Sequence, residues 1–302
     1  MATSNNPPLP DSLIKSDKCK AYWETVESDA NGMLGGVLAV MPSVSRIDLQ
    51  GSRTFLARLN IGIKSGRQKV PRVLEGGAGI GRVTEGLLLK VADQVDIVEP
   101  VAKFTDTLSR KPGVGDIYNV GLEKWEPAKG VKYDLIWIQW CIGHLNDDEL
   151  LQFLERCKAA LEREHGIIVF KENLSTWGHD KFDELDGSVT REDEKFQHLF
   201  KKAGLRLIKS DMQRGFPVVK NRQLLPLKIQ HLDDTLSVAD YQTKFDEIAA
   251  IREAAKTDLS MSNDQKRQIA REFSAARRDL RVASQAAMVS TPKPSSAASK
   301  SV

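Results

Sequence analysis

The sequence predicts an α/β fold in which a mostly parallel sheet carries helices on both faces. From residue 70 onward, short apolar runs alternate with segments of helical periodicity. A glycine-rich turn follows the first of these runs, where a strand would pass into a helix. Strands and helices that alternate at this spacing form βαβ units, whose parallel sheets are buried on both faces. Ligands of such sheets bind at the carboxyl ends of the strands, so functional residues are expected there.

The composition is that of a soluble globular protein and excludes several classes of function. The 302 residues are 41% hydrophobic and 28% charged, and the net charge of +3 is too small to indicate a nucleic acid partner. Three cysteines without metal-type spacing indicate reduced thiols, and no metal site is expected. The sequence has neither a run of 18 apolar residues nor a signal peptide. We therefore expect a protein of the cytoplasm or nucleus with no membrane partner, and we expect a monomer.

The periodicity of apolar residues predicts the elements in order. Residues 1–15 are rich in Pro, Ser and Asn and are expected to be disordered. A short helix is predicted at 17–23, followed by an amphipathic helix at 45–59 whose apolar face we assign to Ile47, Phe55, Leu56 and Leu59. The further predicted strands are 70–75, 94–99, 117–120, 133–139, 166–172, 205–211 and 224–230, and the further helices are 82–91, 101–109, 147–161 and 191–203.

The C-terminal part differs in composition from the rest. We divide the chain into an α/β domain at 16–230, a helical extension at 231–286 and a disordered tail at 287–302. Two helices are predicted in the extension, at 233–256 and 262–286. The stretch KRQIAREFSAARRDLR is basic, which is typical of a solvated helix face, and binding of an acidic partner is the alternative.

The glycine-rich turn reads VLEGGAGIGR, with Gly77, Gly79 and Gly81 at alternate positions. Glycine is needed where the backbone adopts positive φ or approaches a ligand closely. The spacing lacks the last glycine of the dinucleotide fingerprint, and no phosphate-binding P-loop occurs. Neither a nicotinamide dinucleotide nor a nucleoside triphosphate is therefore expected as the ligand. Glu99 follows the second strand, where its carboxylate can accept hydrogen bonds from two ribose hydroxyls.

An acid before the glycines (Glu75), three spaced glycines and a second acid after the next strand together resemble the class I S-adenosylmethionine (SAM) methyltransferases. That resemblance implies a seven-stranded, mostly parallel, Rossmann-like sheet with an N-terminal helical cap, here followed by a helical C-terminal extension. Arg82 lies at a helix start, where a cation faces the unfavourable end of the helix dipole. The methionyl carboxylate of SAM would compensate for it, and pairing with Glu85 is the alternative.

Four further segments narrow the resemblance. GMLGG (32–36), GAGIGR (77–82), YDLIWIQWCIGHL (133–145) and DELDGSV (183–189) together resemble the eukaryotic protein α-N-terminal methyltransferases. The similarity runs from about residue 18 to about residue 229. It implies SAM-dependent methylation of the α-amino group of proteins that begin Xaa-Pro-Lys or Xaa-Pro-Arg, once the initiator methionine has been removed.

The resemblance also implies roles for the matching residues. Trp140 would stack on the substrate proline, Asn173 would bind the peptide backbone, and the acidic loop would receive the amine and the third-position cation. The implied sets are Gly77, Gly79, Arg82, Glu99, Leu122 and Gln139 for SAM; Trp23, Leu34, Gly35, Trp140, Asn173, Asp183 and Ser188 for the peptide; and His144 and Asp186 as candidate bases.

The residues by themselves leave alternatives open. Trp140 offers a flat apolar face for a proline ring, but tryptophan is also common in cores. A single histidine such as His144 is more often structural than catalytic, and an aspartate such as Asp186 beside glycine usually forms a turn. A small-molecule amine methyltransferase would share the glycine turn and Glu99, and a SAM-binding adaptor would not catalyse transfer at all.

The chemistry favours an amino terminus over lysine as the acceptor. Methyl transfer to nitrogen needs the lone pair of the neutral amine. An α-amino group titrates near ~7.8 and a lysine near ~10.4, so deprotonation at pH 7 costs about 1 kcal/mol for the first and about 4.6 kcal/mol for the second. A modest base such as His144 or Asp186 therefore suffices for an N-terminus, and no metal ion is required.

Overall fold

The computed structural model describes residues 8–63, 67–162, 166–216, 227–234, 238–258 and 261–290. The chain divides into two compact units, Met1–Asp234 and Thr235–Val302. In the first unit the helices are α1 (Ser16–Thr25), α2 (Ala30–Met33), α3 (Val44–Arg58), α4 (Leu89–Val91), α5 (Ala102–Thr105), α6 (Asp147–Ala160) and α7 (Asp193–Lys202). The strands are β1 (Val70–Gly76), β2 (Ala92–Val98), β3 (Val114–Tyr118), β4 (Leu135–Gln139), β5 (Ile167–Asn173), β6 (Lys181–Phe182), β7 (Val189–Thr190), β8 (Leu205–Met212) and β9 (Leu227–Asp234).

Seven strands form the central sheet in the order β3-β2-β1-β4-β5-β9-β8. The five adjacent strands from β3 to β5 are parallel, whereas β9 pairs antiparallel with both β5 and β8. All five residues of β4 are buried, because helices cover both faces of the sheet at its centre. The predicted mostly parallel α/β sheet is confirmed, with antiparallel pairing confined to the β9 edge.

The core consists of two apolar layers, one on each face of the sheet. One contains Trp125, Phe153 and Phe200, and the other contains Phe55 and Trp137. The strand order reverses between β1 and β4, so the connections leave these two neighbouring strands in opposite directions. A crevice opens at the carboxyl ends of strands at such a point, which is where α/β sheets bind ligands.

Several elements differ from the sequence predictions. The helix predicted at 82–91 is confirmed, but its middle is a π-helical turn (Thr84–Leu88) that runs into α4. The segment predicted as a helix at 101–109 is only α5 and a 3-10 turn. Ile47 was assigned to the buried face of its helix, but that face consists of Val44, Asp48, Ser52, Phe55 and Leu56. The last strand begins at Leu227, and residues 224–226 of its prediction lie outside the described residues.

The N-terminal segment was also predicted differently. Residues 1–15 were expected to be disordered, but Pro10–Leu13 form a 3-10 turn and Ile14 is buried. Residues 1–7 of that prediction lie outside the described residues. Asp11 accepts a hydrogen bond from the Asp147 backbone N–H at 3.2 Å, which ties the turn to the start of α6.

The second unit contains α8 (Val238–Thr257) and α9 (Asn263–Ser290). The rings of Phe245 and Phe273 lie 5.1 Å apart between their centroids, and Ala255 and Ala276 are buried. The two helices were predicted at 233–256 and 262–286 in an extension that starts at residue 231. The start is wrong, because residues 231–234 belong to β9 and α8 begins at Val238. The second helix, α9, extends four residues further than expected. Residues 291–302 of the predicted tail lie outside the described residues. Over the described residues, none of the helices has the length and apolarity that crossing a membrane requires.

Candidate active site

A cavity of about 380 Å³ opens at the carboxyl ends of β1, β2 and β4. All six residues that the sequence assigned to SAM line it, together with two of those assigned to the peptide and one of the two candidate bases. These are Trp23, Gly77, Gly79, Arg82, Glu99, Leu122, Gln139, Trp140 and His144. Leu34, Gly35, Asn173, Asp183, Asp186 and Ser188 do not belong to its wall, and Met33 at the end of α2 lines it where Leu34 and Gly35 were expected.

The turn after β1 is formed by backbone that only glycine adopts readily. Gly77 and Gly79 have φ of 67° and 54°. A Cβ atom on Gly77 would lie 2.5 Å from the Cβ of Cys141, and one on Gly79 would lie 2.6 Å from the sulfur of Met33. The first glycine is therefore required by the approach of the β4 segment as well as by its own φ.

Glu99 follows β2 and fixes the glycine turn. Its Oε2 accepts the Gly79 backbone N–H at 2.8 Å, and its Oε1 accepts that of Val101 at 2.9 Å. Burial raises the pKa of Glu99, and these two hydrogen bonds oppose the rise. Each carboxylate oxygen still has a free lone pair, so the group can accept ligand hydroxyls from the cavity.

Within the chain, Arg82 pairs with a different residue from the one that the sequence suggested. The Glu85 alternative is wrong, because Glu85 binds Lys111 at 2.9 Å. Arg82 instead donates to Asp48 Oδ2 on α3 at 2.8 Å, and its guanidinium lies 5.2 Å from the ring centre of Trp140. The unfavourable position at a helix start is thus compensated by a fully buried carboxylate.

Asp48 is the centre of a buried polar cluster. Gln139 Nε2 donates to its carboxylate at 2.9 Å and 3.0 Å, and Lys171 Nζ lies 2.5 Å from its Oδ1. Burial would raise the pKa of Asp48, but the charges of Lys171 and Arg82 hold that pKa below its ordinary value. Lys171 also donates to Ser52 Oγ at 2.8 Å, so the cluster joins α3 to the ends of β4 and β5.

Trp140 has the left-handed backbone conformation, with φ of 55°, immediately after β4. Such a conformation costs a residue with a side chain roughly 1–3 kcal/mol and is concentrated at functional sites. Glu172 holds the turn by accepting the backbone N–H groups of Cys141 at 2.8 Å and Ile142 at 3.2 Å. Within the described residues, the buried Trp140 Nε1 has no hydrogen-bond partner.

His144 contacts the N-terminal helix α1. Trp23 Nε1 donates to His144 Nε2 at 3.0 Å, and the two rings meet edge to face. Burial lowers the pKa of His144, and the negative charge of Asp186 opposes this effect. In the described part of the chain, the buried His144 Nδ1 has no hydrogen-bond partner.

The acidic loop lies between β6 and β7, two short strands that the sequence analysis did not predict. Asp183 Oδ1 accepts the Leu185 N–H and Asp186 Oδ1 accepts the Ser188 N–H, both at 2.9 Å. Cys19 on α1 donates its thiol to the Gly187 carbonyl at 3.5 Å, which holds the loop against α1. The loop thus lies next to the α1 residues that line the cavity.

Comparison with known proteins agrees with this arrangement. A family model described as AdoMet dependent proline di-methyltransferase matches residues 11–233. The chain belongs to this family. AdoMet is SAM, so this methyltransferase uses the cofactor that the glycine turn and the acid after β2 indicate.

Its relatives share most of the α/β unit. Alpha N-terminal protein methyltransferase 1 of Schizosaccharomyces pombe is 44% identical over 215 residues, which are 70% of this chain and 92% of that protein. N-terminal Xaa-Pro-Lys N-methyltransferase 1 of Xenopus tropicalis is 39% identical over 206 residues, 66% of this chain and 89% of that protein. A SAM-dependent methyltransferase structure from Leishmania major superposes with a TM-score of 0.62 at 33% identity, covering 72% of this chain and 82% of that one. The chain is therefore a SAM-dependent methyltransferase, and the family expected from the sequence, the protein α-N-terminal methyltransferases, is confirmed.

The cavity residues fit SAM on structural grounds. The Gly77 turn leaves no space for a side chain, Glu99 has acceptors for ribose hydroxyls, and Arg82 presents a cation for a carboxylate. A metal is a different matter: within the described ranges, no three His, Cys, Asp or Glu side chains are grouped to hold one.

Three important residues were missed by the sequence analysis. Asp48 and Lys171 form the buried cluster, and Glu172 holds the Trp140 turn. A signal was present for two of them. Asp48 lies on the same helix face as Phe55 and Leu56, and Lys171 directly follows the apolar run GIIVF, so both are polar residues at core positions.

Proposed function

We propose that the protein methylates the α-amino group of proteins that begin Xaa-Pro-Lys or Xaa-Pro-Arg after removal of the initiator methionine. The observation that carries this proposal is Trp140. Its strained backbone places an indole in the cavity wall, and its Nε1–H is buried without a partner among the described residues. The printed name of the Xenopus tropicalis relative, at 39% identity, supports the same substrate class.

Residues of β1, β2 and β4 would hold the cofactor. Arg82 would bind its carboxylate, Glu99 would accept from its ribose, and Gln139 would contact it from the end of β4. When bound, SAM supplies a methyl group activated by its positively charged sulfur. The side chains around it have fixed positions, because Arg82 and Gln139 are both bonded to Asp48 and Glu99 is bonded to the glycine turn. Their role is to orient, which can account for much of a rate enhancement.

The peptide would enter beside Trp140 and the acidic loop. A proline ring suits the flat face of an indole, and proline loses little conformational entropy on binding. Asp183 and Asp186 would attract the cation at the third position, and Asn173 at the end of β5 would bind the peptide backbone. Trp23, which lines the cavity from α1, would limit its width on the opposite side.

His144 lines the cavity and Asp186 lies in the loop beside it, but their hydrogen bonds lead us to favour Asp186 as the base. Neutral imidazole has one N–H and one bare nitrogen, and Trp23 donates to Nε2, so the proton of His144 lies on Nδ1. The lone pair of His144 is therefore already engaged. Asp186 accepts one backbone N–H and retains further lone pairs, so it can take the amine proton directly or through water. His144 Nδ1–H then serves as a donor that orients the base or a carbonyl of the peptide, which leaves the lone pair of the amine free for the methyl group.

Mass spectrometry of peptides incubated with enzyme and SAM tests the proposal. We expect an Ala-Pro-Lys peptide to gain methyl groups on its α-nitrogen, and its Nα-acetylated form, which keeps the lysine amine, to gain none. Ala-Ala-Lys should react with a lower kcat/KM, because it cannot stack on Trp140. Charge reversal by Asp183→Lys or Asp186→Lys should sharply reduce kcat/KM for Ala-Pro-Lys. Transfer to free amines without peptide preference, or SAM binding without transfer, would contradict the proposal.

A further inference from the structure

The cluster beneath the cavity carries more positive charge than the single buried acid needs. Asp48 is one negative charge, and it contacts two positive ones, Lys171 and Arg82. The side chains of Asp48 and Lys171 are 0% exposed, whereas that of Arg82 is 11% exposed and lines the cavity. The Asp48–Lys171 pair is therefore internal, and Arg82 is the member that a ligand can reach.

The net charge of the cluster is the same whether the proton shared by Lys171 and Asp48 lies on the amine or on the carboxyl. If Lys171 is charged and Asp48 ionised, the pair is neutral, and it is neutral too if the proton moves from the amine to the carboxyl. In both cases the cluster has a net charge of +1, located on Arg82. Without Lys171, the charge of Asp48 at 2.8 Å would cancel that of Arg82 instead.

We propose that Lys171, although enclosed and outside the cavity, is a positioning residue that keeps Arg82 electrostatically free for the carboxylate of the cofactor. Its contacts support this role. Lys171 donates to the Asp48 backbone carbonyl at 2.9 Å, to Ser52 Oγ at 2.8 Å and to Gln213 Oε1 at 3.0 Å. Asp48 is thus held by Lys171 from one side and holds Arg82 and Gln139 on the other.

The register of the sheet places these groups together. Gln139 at the end of β4 is paired with Lys171 on β5, and Asp48 lies one helical turn before Ser52 on α3. A single buried acid thus receives Gln139 and Lys171 from neighbouring strands and Arg82 from the segment after the glycine turn. The inference rests on the assignment of the cofactor carboxylate to Arg82 in the proposed function, and its test reads cofactor binding alone.

The test compares two ligands that differ at the relevant group. S-Adenosylhomocysteine has the amino acid carboxylate, and 5′-methylthioadenosine lacks the whole amino acid moiety. Calorimetry gives the Kd of each variant for both ligands. We define the preference as the Kd for 5′-methylthioadenosine divided by the Kd for S-adenosylhomocysteine. We expect Lys171→Met to lower that preference about tenfold, the size of one charge-assisted hydrogen bond. Its Kd for 5′-methylthioadenosine should not change, because the adenosine site is intact.

A second variant separates charge from simple structural support. Asp48→Asn/Lys171→Met removes both charges of the internal pair and returns the net charge to that of the wild type. It should regain most of the preference, and it leaves no unpaired buried charge should Lys171→Met fail to fold. Lys111→Met is the matched control. It removes an exposed ammonium that is bound to Glu85, three residues after Arg82, and it should change neither Kd.

The outcomes distinguish the possibilities. A folded Lys171→Met variant that keeps the wild-type preference would overturn the proposal, as would a double variant that folds but fails to regain it. Arg82→Met should lose the preference. If it does not, the cofactor carboxylate does not bind Arg82, and the inference fails together with that assignment. Substrate choice is not measured here, so failure of the peptide proposal is seen separately by mass spectrometry.

Discussion

The two ends of the cavity differ in how their polar groups are satisfied. At the end where we propose that the cofactor binds (the cofactor end), Glu99, Arg82 and Gln139 are all bonded to other parts of the chain. At the end where we propose that the peptide binds (the peptide end), the indole Nε1 of Trp140 and the Nδ1 of His144 are buried with no partner among the described residues. An unpaired buried polar group costs about 1–3 kcal/mol.

The difference shows which part of the site is complete before the peptide binds. Strand ends and a glycine turn build the cofactor end, and their backbone hydrogen bonds fix it in the free enzyme. The peptide end consists of a strained turn and α1, and two of its polar groups have yet to gain a partner. A substrate that pairs with them recovers part of their cost, which favours binding of the correct peptide over others.

The largest expected effect breaks the cofactor end. In Gly77→Ala the new Cβ would lie 2.5 Å from the Cβ of Cys141, and both residues line the cavity. We expect the Kd for SAM, measured by calorimetry, to rise by about a hundredfold or more, because the whole turn must shift. Gly130→Ala is the matched control, with φ of 80° and open space around it. Backbone strain at positive φ should cost this control roughly 1–2 kcal/mol of stability, as it does at Gly77 before the clash is added. The control should keep the SAM affinity of the wild type.

The next largest effect falls at the peptide end. Asp186→Asn keeps an oxygen for the Ser188 N–H but loses the base, and we expect kcat/KM for Ala-Pro-Lys to fall about a hundredfold. His144→Gln keeps an acceptor for Trp23 and should cost only about tenfold. The Kd for SAM should be unchanged in both variants. A larger loss in His144→Gln than in Asp186→Asn would make His144 the base.

These contrasts also show how far the sequence alone leads. The βαβ order, the glycine turn and the segment WIQWCIGHL are local patterns. They indicated the sheet, the cofactor and nine of the residues that line the cavity. The Asp48 cluster was missed because its members come from α3, β4, β5 and the segment after the glycine turn, which only the three-dimensional fold brings together. The hairpin β6–β7 was missed because two-residue strands have no detectable periodicity.

A smaller effect is expected from removing only the Nε1–H of Trp140. Trp140→Phe keeps an aromatic face for proline and the same backbone strain, but it removes the Nε1–H. We expect KM for Ala-Pro-Lys to rise about fivefold, the size of one neutral hydrogen bond, with the SAM Kd unchanged. An unchanged KM would show that the indole N–H does not contact the peptide. Steady-state kinetics at saturating SAM is the measurement.

The Trp140 turn also makes the stability of the protein depend on pH. Burial raises the pKa of Glu172 from 4.5 to about 7, while the Cys141 and Ile142 N–H groups oppose the rise. A carboxyl whose pKa is raised in the folded state binds its proton more tightly there than in the unfolded state. The wild type therefore loses stability as the pH rises from 4.5 to about 7. Glu172→Gln lacks this slope, which amounts to at most about 1.4 kcal/mol per pH unit. Urea unfolding of both proteins gives their free energies of unfolding. The difference between the two free energies should change with pH below pH 7 and stay constant above it.

A crystal structure with S-adenosylhomocysteine and an Ala-Pro-Lys peptide tests the central claim most directly. The account predicts the ligand carboxylate on Arg82, the proline ring on Trp140, and both Trp140 Nε1 and His144 Nδ1 within hydrogen-bond distance of the peptide or of a water bound to it. The α-nitrogen should lie between the ligand sulfur and Asp186. A peptide bound away from Trp140, with both nitrogens still unpaired, would contradict it.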